Sequence, residues 1–239
     1  VPLDHAYIVY PVRGIQRKNL GEFLLWASVC SRCTFAITLP PINPREQRQY
    51  AIWKDLAKEL SLPILFEAGS RLSLAENYAA ANAILTTSVA EGFGMAFLEA
   101  SLMDRPLVGR DLPGITGDFR EAGMSFPGLS SEISVPNHFV NAADATETVV
   151  KQTVQLREDF GIQKTDVRTL QAAARRLFHQ DTVDFGRLGS HQQAEILRSF
   201  RQDPSRRERV LLLNPAMQLA QHLGSSPEEK SARRGELME

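Results

Sequence analysis

Glu91-Gly92-Phe93-Gly94-Met95-Ala96-Phe97-Leu98-Glu99 follows the apolar run Ala83 to Thr87 and leads into a helical pattern, so a strand ends and a helix begins within a few residues. A helix start exposes unpaired backbone N–H groups and the positive end of the helix dipole, and glycines there admit an anion close to the main chain. The stretch therefore predicts an anion site at Gly92, Phe93 and Gly94, flanked by two carboxylates. If the segment is helical throughout, eight residues at about 1.5 Å each set Glu91 and Glu99 roughly 12 Å apart along the axis, enough to touch different parts of one extended ligand. Carboxylates beside an anion site are poor phosphate ligands and good acceptors for sugar hydroxyls.

Working outward, Ala6 to Tyr10 is continuously apolar, as a strand buried on both faces of a parallel sheet requires. Leu20, Phe23, Leu24, Ala27 and Cys30 then recur at helical spacing, and Thr34 to Leu39 reads as the second strand. Asn43-Pro44 starts the next helix, whose apolar face is Ile52, Leu56, Ala57 and Leu60, and the sheet resumes at Ile64 to Glu67. Ser73 and Glu76 form a capping box that opens a short Ala-rich helix. After the Glu91 segment, a helix to about Met103 is followed by a strand from Pro106 to Arg110 and a loop with Pro113-Gly114.

This alternation predicts an α/β fold, a doubly wound Rossmann-like parallel sheet with helices on both faces, with ligands at the carboxyl ends of its strands. A mostly helical C-terminal region follows, with helices expected at Asp144 to Glu158, Val167 to His179 and Ser190 to Phe200. The expected organisation is a Rossmann-like ligand-binding domain over 1–143, which the resemblance described below makes nucleotide-sugar-binding, a helical extension packed on it over 144–200, and a charged tail over 201–239. That tail holds one short helix within Val210 to Leu223 and disorder from Ser225. The chain begins at Val1, which suggests processing or excision from a longer protein.

The 239 residues are 43% hydrophobic with a formal net charge of -1, which argues for a globular core and against recruitment of nucleic acid by a basic field. With neither an apolar run long enough to span a membrane nor a signal-like N-terminus, the expected location is cytoplasmic. Cys30 and Cys33 lack the second pair or the histidines of a zinc site and read as core or surface thiols. Arg206, Arg207 and Arg209 read as a solvated cluster. His5, His138, His179, His191 and His222 offer no catalytic base.

Arg13 and Lys18 lie on the loop after the first strand, which opens toward the ligand crevice of a doubly wound sheet. With Glu91 and Glu99 spaced E-x7-E after a later strand, Tyr78 in the short helix, the Thr87-Ser88 turn and the Pro113-Gly114 loop, the pattern over roughly residues 5 to 120 resembles a known family. It is similar to the C-terminal, donor-binding domain of retaining GT-B glycosyltransferases (glycosyl transferases group 1). Two places depart from the family: Val12 stands where it often has glycine, and Met103 and Asp104 replace its small residue and glycine after the helix.

The resemblance implies transfer of a hexose, with retention, from a UDP-, GDP- or ADP-sugar. Arg13 and Lys18 would bind the donor diphosphate, Glu91 a donor-sugar hydroxyl, the amides at Gly92 to Gly94 the diphosphate or sugar, and Glu99 the ribose. Arg13, Lys18 and Glu91 are the expected catalytic residues. Nucleobase contacts are expected from backbone near Ala68 to Arg71. No metal or other cofactor is implied, and the absence of a D-x-D sequence agrees. The acceptor would be supplied by an N-terminal domain or a partner chain, without which the chain is expected to be inactive.

Two other readings use the same residues. Gly92-x-Gly94 after a strand, with Asp111 after the next, allows an NAD-binding crossover, but Phe97 sits where that motif needs a small residue. A noncatalytic nucleotide- or partner-binding module is the other.

Overall fold

The first strand, β1 (Ala6–Arg13), runs beyond its apolar core into the loop that carries Lys18. The computed structural model describes residues 5–159, 161–162, 166–178 and 180–223. Helix α1 (Leu20–Val29) follows a single 3-10 turn at Gln16–Lys18, then β2 (Cys33–Leu39) and α2 (Pro44–Glu59), whose start is capped by the Asn43 side chain. The order continues with β3 (Ile64–Leu65), α3 (Leu74–Ala80), β4 (Ala83–Thr86), α4 (Met95–Leu102) and β5 (Leu107–Arg110). The loop expected at Pro113-Gly114 is instead α5 (Pro113–Glu121), with Pro113 at its start where a missing N–H costs nothing, and β6 (Leu129–Ser130) closes the series.

All six strands pair in parallel in the order β3-β2-β1-β4-β5-β6. The doubly wound Rossmann-like sheet is thus present. Its winding reverses between β1 and β4, which are neighbours although β2 and β3 and their helices lie between them in sequence. Tyr7, Val9, Ala36 and Ile84 pack on one face with Tyr78, Phe97 and Ala100. On the other, Tyr10 and Phe35 lie against Phe23 of α1.

Helix α1 departs from the expected single apolar stripe, because every residue from Leu20 to Val29 is buried. With Glu22 its one charged residue, the helix has no polar face to present to water. Gly109 has φ +127, and a Cβ there would lie 1.9 Å from the Thr86 carbonyl oxygen, so the β4–β5 contact admits glycine alone. Asp104, after α4, has φ 49, a left-handed conformation that glycine adopts more readily than aspartate.

Beyond the sheet, β7 (Ser134–Pro136), α6 (Ala142–Asp159), α7 (Val167–Arg176) and β8 (Thr182–Asp184) are followed by α8 (Ser190–Gln202) and α9 (Ser205–Leu213). Helix α10 (Pro215–Leu223) is separate from α9, so the expected single short helix is two, broken at Asn214-Pro215. The chain forms two compact units, one comprising residues up to Ser131 with those from Asn214, the other Glu132–Leu213. The second begins inside the stretch assigned by sequence to the Rossmann-like domain because β7 pairs antiparallel with β8. Arg206 stacks over Phe139 at 4.6 Å, so the arginine cluster is not wholly solvated.

Helix α10 belongs to the first unit, where the Cys30 and Cys33 thiols donate to the Met217 and Ala220 carbonyls at 3.5 and 3.6 Å. Burial pushes the Cys33 thiol up to about 12 and Cys30 well above its ordinary value, so both are inert core thiols. The tail from Ser225 and His179 lie outside the described residues. No described helix is long and apolar enough to cross a membrane.

Candidate functional site

Because β1 and β4 are adjacent, the loops leaving their carboxyl ends meet, at the place where open α/β sheets bind ligands. The β1–α1 loop brings Arg17 and Lys18, and the β4–α4 loop brings Ser88, Glu91 and the two glycines. The two loops are fastened to each other directly: Val89 N–H donates to the Arg17 carbonyl at 3.0 Å and Thr87 Oγ1 to the Lys18 carbonyl at 2.8 Å.

Glu91 is the hub. Its Oε1 accepts from Lys18 Nζ and from Ser88 Oγ, the latter at 2.6 Å, and its Oε2 accepts from Arg17 Nη1 at 2.7 Å. Since the Ser88 proton goes to Glu91, the Tyr10 hydroxyl 2.6 Å away must be the donor to Ser88, giving a directed chain from Tyr10 through Ser88 to the carboxylate. Burial opposes ionisation of Glu91, but hydrogen bonds from Lys18 and Ser88 and the charges of Lys18 and Arg17 prevail and hold the carboxyl below its usual range. Burial lowers the Lys18 ammonium, and Glu91 only partly offsets it.

The placement of the expected site residues is mixed. Lys18 and Glu91 are brought together, but as partners of each other, not as separate ligand contacts. Arg13 instead points to the end of β2, where its Nη1 donates to the Pro40 carbonyl at 2.7 Å. Glu91 lies ahead of the helix, which starts only at Met95, so the separation reckoned along a continuous helix does not apply. Glu99 sits on α4 and accepts from the Tyr78 hydroxyl at 2.6 Å, with Oε1 accepting no hydrogen bond among the described residues.

The glycines have different reasons to exist. Gly94 has φ +78, and a Cβ there would fall 2.5 Å from Ile115, so the fold itself demands it. A Cβ on Gly92 would meet nothing within 4 Å, so the protein makes no such demand. Phe93 between them is 65% exposed, its ring edge-on to Phe119. No described side chain caps the start of α4 and its first turn holds no acidic residue, unlike α3, which Ser73 and Glu76 cap reciprocally. Phe97 N–H donates to the Gly94 carbonyl at 3.0 Å, which leaves the Met95 and Ala96 N–H groups ahead of it for an anion.

Sequence reading missed two features. Arg17 is a third cation on the loop of Arg13 and Lys18, and nothing in the sequence marks it out from exposed surface. Beneath the loop, Arg110 Nη2 and Nε donate to Glu22 Oε2 at 2.5 and 3.0 Å, both residues being buried, and Asn19 Nδ2 joins at 2.9 Å. The single glutamate in an otherwise apolar helix was the signal for a buried partner. The expected base-contacting stretch forms a 3-10 turn at Ala68–Ser70, pressed so closely on β2 that a Cβ at Gly69 would lie 2.8 Å from the Thr38 carbonyl oxygen.

No protein-family model matches the chain, and no curated protein matches it significantly. Among solved structures it is similar to the C-terminal domain of a glycosyl transferase group 1 family protein (LpcC) from Francisella tularensis, at 20% identity and TM-score 0.37 over 44% of this chain and 57% of that one. WaaG, a glycosyltransferase of lipopolysaccharide biosynthesis, matches at 13% identity and TM-score 0.42 over 91% of this chain and 48% of its own. The pneumococcal O-GlcNAc transferase GtfA matches at 18% identity and TM-score 0.38, over 86% of this chain and 36% of its own. The chain thus spans about a third to just over half of the length of these proteins. Its own strand order defines a Rossmann-like α/β unit in which Arg17 and Lys18 pair with Glu91 at the switch point.

Proposed function

We propose that this chain is the donor-binding domain of a retaining GT-B glycosyltransferase, gripping a nucleoside-diphosphate sugar for hexose transfer to an acceptor held by another domain or chain. The observation that carries the reading is the meeting of the Lys18 loop with the Glu91 loop beside the uncapped start of α4. The diphosphate lies against Lys18 and the amides of Gly92, Phe93 and Gly94, where fixed positive groups stabilise the charge that develops as it departs; Arg13, expected there from sequence, would first have to leave the Pro40 carbonyl. Glu91 accepts from a donor-sugar hydroxyl, and Glu99 accepts from the ribose through its open Oε1. No metal is required in this reading, and without an acceptor domain the chain binds donor in the cytoplasm but transfers nothing.

Calorimetric titration with UDP, GDP and ADP and with their hexose conjugates tests the reading. Saturable binding of at least one nucleoside diphosphate, altered by its sugar, is the expected result. Absence of binding to all of them overturns it.

An NAD-binding crossover uses the same turn but is disfavoured by packing. Phe97, at the position that dinucleotide motifs keep small, is 1% exposed and meets Phe119 and Phe126 in the core. Tight NAD binding in the same titration, with no response to nucleotide sugars, would favour that reading instead.

A further inference from the structure

We infer that Arg17 supplies the guanidinium of the anion cradle, and that Glu91 holds its fork and the Lys18 ammonium in place until a diphosphate takes over both. The inference rests on the donor-binding reading and assigns a residue that reading leaves out. Arg17 Nη1 stands 2.7 Å from Glu91 Oε2 and 3.2 Å from the Ala90 carbonyl oxygen, next to the glycine turn. Arg13, at the other end of the loop, is turned to Pro40.

Geometry explains the division of labour. The 3-10 turn Gln16–Lys18 ends at Asn19, whose φ of 49 reverses the chain into α1, and Arg17 and Lys18 both come out facing the β4–α4 loop. Two cations against one carboxylate leave the cluster with one net positive charge. A carboxylate has about four lone-pair sites and Glu91 uses three, so it mimics an incoming phosphoryl oxygen pair without saturating its donors. A diphosphate offers more oxygens and more charge to the same fork and ammonium, and a guanidinium fork matches two oxygens at once. The Arg17 side chain is 46% exposed, so it can exchange partners without unpacking the core.

The test is titration of the whole chain with inorganic pyrophosphate and with the best-bound nucleoside diphosphate, at low and high salt, for R17A, R17K and R13A, with thermal melting to confirm folding. R17A is expected to weaken both ligands about tenfold or more and to flatten the salt dependence. R17K is expected to fall between R17A and the parent, and R13A to lose less than R17A. The R17A step is repeated in an E91Q background, where a residue that merely steadies Glu91 has nothing left to steady. A retained loss there supports direct contact between Arg17 and the anion. Unchanged affinity in R17A, a larger loss in R13A, or disappearance of the R17A effect in the E91Q background each overturns the inference while leaving donor binding intact. A parent chain that binds no diphosphate overturns both.

Discussion

The Tyr78 hydroxyl donates to Glu99 Oε2 across 2.6 Å and ties α3 to α4. Burial, reinforced by Glu99, pushes the phenol well above its ordinary value, so it remains a donor at any physiological pH. Tyr78→Phe removes a charge-assisted bond worth about 1.5 to 3 kcal/mol when fully shielded. Glu99 is partly exposed and can be rehydrated, so an unfolding loss of about 1 kcal/mol is expected in urea titration. Under the donor-site reading, nucleoside diphosphate binding weakens while pyrophosphate binding holds, because only the nucleoside needs Glu99 placed.

Gly92 and Gly94 separate ligand demand from fold demand. Gly92→Ala meets no protein atom within 4 Å, so its melting midpoint is expected to stay near that of the parent, within about 0.5 kcal/mol. Pyrophosphate affinity falls all the same, since the added methyl occupies the anion's approach. Gly94→Ala combines a φ of +78 with a contact 2.5 Å from Ile115 and is expected to destabilise by about 1 to 3 kcal/mol. Equal stability of the two variants would contradict this assignment.

The Glu22–Arg110 pair should behave as a buried ion pair. Either Glu22→Gln or Arg110→Met strands a charge in the core, with an expected loss of about 3 to 5 kcal/mol. Glu22→Leu together with Arg110→Met should recover much of it, because desolvation is then relieved on both sides. Chemical denaturation of the two singles and the double reads the coupling directly.

Stability should fall in acid partly through Glu91. Its carboxyl titrates lower in the folded chain than in the unfolded one, so the unfolded state takes up the proton first as pH drops. The contribution is complete above the ordinary carboxylate range and is lost as pH falls through the folded value. Lys18, lowered by burial, acts with the same sign on the alkaline side, stability rising as pH climbs from its folded value toward its unfolded one. Glu91→Gln is expected to be less stable than the parent at pH 7 and to show a smaller further loss between about pH 5 and pH 3. Parallel acid profiles would contradict the pairing.

The legible part of the fold was local. Asn43 before Pro44 and Ser73 with Glu76 each carry their hydrogen-bonding partner within a turn, and both caps stand where expected. Pro113-Gly114 reads equally as a loop, since both residues also serve turns, yet Pro113 begins a helix because its fixed φ suits a first turn. The short strands β7 and β8 leave no sequence signal for a related reason. Three-residue segments have too little period to register, and they pair across more than forty intervening residues.

From sequence alone came the alternation that makes a parallel sheet, the strand-to-helix glycine turn, and the candidate cations and carboxylates that flank it. These follow from period, capping and charge within a few residues of each other. Which of them meet was decided by tertiary structure, because only the strand order sets β1 beside β4 and closes Lys18 onto Glu91 across 73 positions. The same holds one turn away. Arg13 and Arg17 are alike as letters, and the backbone path through the 3-10 turn and Asn19 is what sends one to Pro40 and the other to Glu91.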